Sequence, residues 1–362
     1  MARRAVRTLQ SELFRPSLPG AFPSTRYQGS KAKLVEALSA VWGESDFESC
    51  TDAFGGTASV AYRLKQEGKR VVYNDVLRFN YLIGKALIEN SSVRLTEADV
   101  DWLLEAHSEV SYGRTVTDNF SGVFYTDEEN EWVDRTIGNL LHLEDEYKQA
   151  LGFFALAQAC IVKRPFNLFH RRNLYLRVAE VKRSFGNKAS WDRGFEVWFR
   201  QFVTEANAAV FDNGQANTAT CSDSTRIEYA TDLVYCDPPY LNEAGTGVDY
   251  LAFYHFLEGL ANYGNWPDMI DRTSKHLRIK APKSEWSDKR SISQAFARLF
   301  ENIGRRRLLL SYRSDGIPSV DLLIDLLGRS GFRTRLVDLA QYQYVLSTNK
   351  AAREIVIVAE PL

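Results

Sequence analysis

The tetrapeptide Asp237-Pro238-Pro239-Tyr240 brings together an acid, two prolyl carbonyls and an aromatic ring. It follows the apolar run Leu233-Val234-Tyr235-Cys236, whose length and bounding turn residues predict a short buried strand. Proline donates no backbone hydrogen bond, and Pro238 restricts Asp237 to extended backbone, so the strand must end here. An exocyclic amino group on a flat ring offers two N–H donors and needs two acceptors. Asp237 and the Pro238 carbonyl can take those hydrogens while Tyr240 stacks on the ring. Pulling along both N–H bonds makes the nitrogen more pyramidal and more nucleophilic. The same residues also suit a plain proline turn anchored by a half-buried tyrosine, so their weight depends on their company.

That company begins with Cys50-Thr51-Asp52-Ala53-Phe54-Gly55-Gly56-Thr57-Ala58, which reads as a strand, a tight glycine turn and a helix through Leu64. The strand Val71-Val72-Tyr73 follows and ends in Asn74-Asp75, an acid 23 residues beyond Asp52. In a β-α-β unit this spacing suits a nucleotide-type ligand: glycines let it approach the backbone, and the acid accepts from both ribose hydroxyls. The chain lacks G-x-G-x-x-G, and no Lys-Ser or Lys-Thr follows the glycines, so an adenosyl ligand without phosphates fits better than a dinucleotide. Upstream, Arg26-Tyr27-Gln28-Gly29-Ser30-Lys31 feeds the amphipathic run Leu34, Leu38, Val41, Trp42. A glycine turn opening a helix beside a lysine suits an anion such as a carboxylate, and equally an ordinary helix start. Asp223, beyond the predicted strand Thr218–Cys221, can accept from an adenine amino group or cap a helix.

These groups need a scaffold. The 362 residues, 45% hydrophobic and 25% charged, are enough for a full core and two domains, and a net charge of -1 selects no partner. Cys50, Cys160, Cys221 and Cys236 show no C-x-x-C pairing, which argues for reduced thiols in a cytoplasmic protein and against a zinc site or disulfides. No Pro-Cys dipeptide offers the thiol nucleophile of 5-position cytosine methylases. Met1–Gln10 carries no apolar export core, and no later run reaches membrane-spanning length. Residues 1–24 read as a loose arm. Residues 91–213 interrupt the β-α rhythm with an acidic stretch, Asp127–Glu146, expected as a solvated helical face. Between Cys160 and Arg193 the charge reverses: Lys163, Arg164, Arg171, Arg172, Arg177, Lys182 and Arg183 lie among Phe166, Phe169, Tyr175 and Phe185. Such interleaving suits phosphate neutralisation and base contact, or simply a solvated basic face. The rhythm resumes with a helix from Leu251 to Tyr263, a strand Leu308–Tyr312, a helix from Ser319 through Leu327, and strands over 332–346 and 355–358.

From Arg26 to Val358 these motifs and their order resemble the alpha-class, Dam-like D12 family of DNA N6-adenine methyltransferases. The resemblance implies a Rossmann-like α/β sheet dependent on S-adenosylmethionine, formed by 25–90 and 214–362, with a mainly helical target-recognition insertion at 91–213. It implies that Tyr27, Gly29 and Lys31 contact the methionine part of the cofactor. Asp52, Phe54 and Gly56 form the glycine pocket, Asp75 holds the ribose and Asp223 the cofactor adenine. Asp237, Pro238 and Tyr240 hold a flipped-out adenine, and Lys163, Arg164, Arg171, Arg172, Arg177, Lys182 and Arg183 meet double-stranded DNA. The implied setting is a restriction-modification pair with a separately acting endonuclease, or a phage or orphan system, with no metal and no membrane. One departure stands out: Ala58 occupies a position where the family often has a second glycine. The alternatives are N4-cytosine or RNA-adenine methylation, and a non-catalytic DNA-binding protein on the same scaffold. A nicotinamide dehydrogenase is disfavoured by the missing third glycine.

Overall fold

Seven short runs pair into one sheet in the computed structural model, which describes residues 18–179, 188–242, 245, 247–339 and 353–362. They are β1 (Ser49–Asp52), β2 (Arg70–Asp75), β3 (Thr218–Cys221), β4 (Leu233–Cys236), β5 (Arg307–Arg313), β6 (Phe332–Asp338) and β7 (Glu354–Pro361). The strand order is β3-β2-β1-β4-β5-β7-β6, with β7 antiparallel to both neighbours and the others parallel. The chain runs outward from β1 to β2 and β3, then returns to β4 on the other side of β1. That reversal opens a crevice at the carboxyl ends of β1 and β4, where open sheets bind ligands.

Period-two alternation decides which face each side chain meets. Leu233 and Tyr235 of β4, Leu309 of β5 and Val356 and Val358 of β7 join one core cluster. Their sequence neighbours Val234, Cys236, Leu308, Leu310, Ile355 and Ile357 join the other. All four β4 residues are buried, as a central parallel strand requires.

Helices α1 (Val35–Trp42), α2 (Ser59–Gln66) and α3 (Arg78–Gly84) accompany the first two strands. The insertion is helical: α4 (Glu97–Leu104), α5 (Thr115–Phe120), α6 (Asp127–His142), α7 (Glu146–Val162), α8 (Leu174–Val178), α9 (Lys188–Asp192) and α10 (Phe195–Ala209). After it come α11 (Tyr250–Ala261), α12 (Trp266–Met269), α13 (Ile292–Ile303) and α14 (Val320–Arg329). Every residue of α7 from Ala150 to Val162 is buried, the mark of a helix enclosed on all sides. The insertion does not hang free, because its side chains share one continuous core cluster with α1, α2 and the sheet. It is also tied to α11: the Phe169 N–H donates to the Phe253 carbonyl at 2.9 Å, and Phe169 stacks on Phe256 at 5.0 Å.

Two expectations change here. The described end of the arm is pinned: the Ser24 N–H and Oγ both donate to Glu205 Oε2, and Phe22 packs on Tyr62. Nor is the acidic helix α6 solvated throughout. Asp134 is buried and takes the Val116 and Thr117 N–H groups and the Tyr263 hydroxyl, acting as a cap that joins α5, α6 and the segment before α12.

Candidate active site

A cavity of about 820 Å³ opens at the carboxyl ends of β1, β2 and β4. Tyr27, Gly29, Lys31, Asp52, Phe54, Gly56, Asp75 and Asp223 all line it, and so do Asp237 and Pro239. Pro238 is buried and Tyr240 half-buried, and neither forms part of the wall. Tyr240 packs at 71° to Tyr312 with centroids 5.6 Å apart, which fixes the ring at the tip of β4.

The glycine turn between β1 and α2 is shaped by the ring of Tyr73 beneath it. A Cβ on Gly55 would lie 2.0 Å from Tyr73 Cε2, and one on Gly84 would lie 2.2 Å from its Cδ1. The Tyr73 hydroxyl lies 2.8 Å from the Gly56 carbonyl oxygen. Asp75 then ties the turn to β2: its Oδ2 accepts from Gly56 N at 2.9 Å and its Oδ1 from Leu77 N at 2.8 Å. Ala58 has φ 64°, the left-handed region, which explains why a glycine suits this position; the alanine costs about 1–2 kcal/mol of backbone strain.

Asp52 is 1% exposed and its Oδ1 has no hydrogen-bond partner among the described residues. Burial, helped by Asp237 and Asp75, pushes its carboxyl up to about 8. Asp223 Oδ1 accepts from the Thr225 N–H (2.9 Å) and hydroxyl (2.8 Å), so it braces a turn as well as facing the cavity. Tyr27 stacks between Tyr254 (4.3 Å, 11°) and Tyr250 (5.7 Å, 7°), and the Tyr254 hydroxyl receives the Gln28 N–H at 2.8 Å. Gly29, at φ 86°, leaves room for the Tyr250 hydroxyl, which would sit 2.3 Å from a Cβ there.

Lys31 reaches across this floor to two carboxylates, Asp237 Oδ1 at 3.0 Å and Glu354 Oε1 at 2.7 Å. Burial opposes its charge, but the two carboxylates win and hold the ammonium well above the ordinary lysine range. Burial pushes Asp237 up to about 6, with Lys31 pulling it down and Glu354 pushing it up. A lysine expected to serve the cofactor carboxylate therefore commits two of its three N–H donors to protein acids.

The basic run of the insertion divides. Lys163, Arg164 and Arg177 are 2%, 1% and 6% exposed, so they are not phosphate contacts. Lys163 and Arg177 pair with Glu129 at 2.8 and 2.7 Å, and Lys163 also donates to the Trp191 and Arg193 carbonyls. Arg164 donates to the carbonyls of Phe124, Leu168 and Arg171 and to the Asn173 side chain. These cations turn inward because each finds carboxylate or carbonyl acceptors there for most of its N–H groups, although Arg177 Nε has no partner among the described residues. Arg171 and Arg172 are exposed, as are Phe166 and Tyr175 at 65% and 66%. Phe166 and Asn167 both adopt left-handed backbone, φ 63° and 58°, so the turn presents Phe166 outward at a cost in strain. Lys182 and Arg183 lie outside the described residues.

Sequence reasoning missed Glu354, Tyr250, Tyr254 and Trp286. Glu354 heads an apolar run, the one hint that an acid there is purposeful. The tyrosines belong to no motif, and Trp286, edge-on to Phe54 at 5.3 Å, lies in a single 3₁₀ turn, Glu285–Ser287, too short for periodicity to reveal. Among the described residues there is no cluster of metal-ligating side chains and no helix long and apolar enough to cross a membrane. All four cysteines are free, with Cys50, Cys160 and Cys236 buried and Cys221 exposed.

A family profile described as the D12 class of N6 adenine-specific DNA methyltransferases matches residues 27–266. The type II methyltransferase M2.HphI of Haemophilus parahaemolyticus is 29% identical over 326 residues, 88% of this chain and 91% of that one. Modification methylase LlaI of Lactococcus lactis subsp. lactis is 25% identical over 323 residues, 84% of this chain and 48% of its own length. The type II methyltransferase M.FokI of Planomicrobium okeanokoites is 26% identical over 315 residues, 81% and 45% respectively. The chain thus spans nearly all of the first relative and about half of the other two.

Proposed function

The chain belongs to the D12 class of N6 adenine-specific DNA methyltransferases, and from that premise we propose how its own residues carry the reaction. S-adenosylmethionine is the methyl donor, and when bound it supplies a methyl group activated on a sulfonium for direct displacement. The cavity suits it: an acid for the ribose (Asp75), an open turn at Gly56, no phosphate cradle, and the buried, unpartnered Asp52 Oδ1 to favour a cation. Asp237 accepts one N–H of the target adenine through the oxygen that Lys31 leaves, the Pro238 carbonyl accepts the other, and Tyr240 stacks on the base. Flipping the base costs a few kcal/mol, and stacking worth about 1–3 kcal/mol helps to offset it. The convergence of Asp52, Asp75 and Asp237 on one cavity is the observation that carries this reading.

The raised Asp52 carboxyl makes a pH prediction. Below about 8 it holds a proton that an arriving cation expels, so affinity for S-adenosylmethionine should rise with pH and level off above that point. Calorimetry in two buffers of different ionisation enthalpy should detect the released proton, and Asp52→Asn should abolish both effects. Flat affinity from pH 6 to pH 9 would separate Asp52 from the sulfonium.

Residues 25–90 and 214–362 serve catalysis in this reading, and 91–213 serve recognition of a DNA word. Arg171 and Arg172, with Phe166 and Tyr175 exposed nearby in sequence, are the surface we assign to DNA, and docking on α11 ties it to the cavity. Arg171→Glu with Arg172→Glu should weaken DNA binding and lower the salt slope by about 2, roughly one per lost phosphate contact. Unchanged affinity at physiological salt would move recognition elsewhere. A separately acting endonuclease for the same word, and a cytoplasmic location where DNA is accessible, complete the reading.

The deciding experiment treats unmethylated genomic DNA and total RNA with the protein and S-adenosylmethionine, followed by nucleoside mass spectrometry and mapping of modified positions. N6-methyladenine at one DNA word is expected. N4-methylcytosine, or modified adenine in RNA alone, would favour the corresponding alternative. DNA binding without transfer would favour a non-catalytic role.

A further inference from the structure

We propose that Glu354, at the far end of the chain, is a positioning residue of the active site: by anchoring Lys31 it keeps one oxygen of Asp237 clear for the target amine, while the lysine itself holds the carboxylate charged. The inference rests on the reading of Asp237 as the amine's acceptor. Three observations carry it. Glu354 is 1% exposed, and its Oε1 receives both Lys31 Nζ at 2.7 Å and the Ser311 hydroxyl at 2.6 Å. Ser311 is itself fully buried on β5, so the carboxylate is fixed from the neighbouring strand. Lys31 then meets a single oxygen of Asp237, Oδ1, at 3.0 Å.

The chemistry requires this division of labour. A buried carboxylate without a neighbouring cation takes up a proton, and its O–H then faces the amine as donor to donor. A lysine free to swing would neutralise Asp237 but could also spread its three N–H groups over both oxygens and displace the amine. Anchored to Glu354, the ammonium compensates charge from one side only. A pair serving stability alone would need neither the hydroxyl clamp nor an arrangement open to the cavity.

The groups facing Asp237 are Lys31 from the glycine turn, Glu354 on β7, Asp52 on β1, Tyr235 on β4, Tyr240 beyond it and Tyr250 on α11. Burial raises the three tyrosines, so they stay neutral, and Asp52 holds its proton below about 8. Arg313, opposite Glu354 across the β5–β7 ladder, is paired with Asp315. Lys31 and Glu354 are therefore the two groups that set the acid limb of turnover, and they act in opposite senses: the lysine lowers Asp237 and the glutamate raises it.

The test uses Glu354→Gln and Lys31→Gln in the full-length protein, with pH profiles of kcat and separate Kd values for DNA and S-adenosylmethionine. Glu354→Gln should lower kcat at least about tenfold at neutral pH, because the freed lysine closes over Asp237. Its acid limb should move to lower pH, with the Kd for DNA unchanged. Lys31→Gln should move the limb to higher pH, so that lost activity partly returns in alkaline buffer. A wild-type kcat and an unmoved limb in Glu354→Gln, or limbs that move in the same direction, would overturn the proposal. Should Glu354→Gln fail to fold, Lys31→Gln and Ser311→Ala decide: no upward shift in the first, together with a wild-type profile in the second, overturns it. Asp237→Ala separates the two layers, since turnover surviving that change removes the acceptor reading itself, whereas its loss beside a normal Glu354→Gln removes only the positioning role.

Discussion

Asp237→Ala should reduce methyl transfer on the order of 10³-fold, the scale expected when a group that orients and polarises the reacting atom is removed. The side chain sits at the cavity edge one residue past β4, with a carboxylate oxygen held by Lys31 and the other available. Alanine takes away the acceptor for one amine hydrogen and leaves the nitrogen lone pair delocalised into the ring. The groups assigned to the cofactor survive, because Gly56 and Asp75 are held by each other and by Tyr73 rather than by Asp237. A labelled-methyl assay beside calorimetric titration of S-adenosylmethionine should therefore show turnover lost and binding retained. Wild-type turnover would end the acceptor reading. Loss of both together would mean that Asp237 holds the cofactor.

Glu129→Ala should lower unfolding free energy by about 3–5 kcal/mol, the cost of leaving buried cations without their counter-charge. Glu129 accepts from Arg177 through both oxygens, at 2.7 and 2.8 Å, and meets Lys163 at 2.8 Å, while both cations are almost wholly enclosed. The three groups tie α6 to the end of α7 and to α8. Denaturant unfolding should register the loss, and the salt slope of DNA binding should not change. Undiminished stability with a smaller salt slope would return Lys163 and Arg177 to the DNA surface. One stretch of basic sequence thus holds cations of two kinds, and each kind answers to a different measurement.

Parts of this result were legible in the residues themselves. Leu233–Cys236 had to be a strand that stops at two prolines, and Asn74-Asp75 had to end a strand after the glycine turn, because alternation, turn chemistry and proline geometry are local. The same local rules predicted strands ending near 346 and 358; the sheet has β6 ending at Asp338 and β7 running to Pro361, and residues 340–352 lie outside the described residues. Ala58 departs from the family pattern, and its left-handed backbone supplies the reason glycine is favoured there.

What the chain order of residue types determined was the set of strand-end acids and the turns between them, since those depend on neighbours a few positions away. Only the packed structure decided that Lys31 answers to an acid at position 354, and that Lys163, Arg164 and Arg177 face inward while Arg171 and Arg172 face out. A charge acquires its partner and its solvent from elements distant in sequence, and β7 reaches the active site only because it inserts between β5 and β6. Periodicity carries no trace of that insertion, so the electrostatics of the site belong to the tertiary structure.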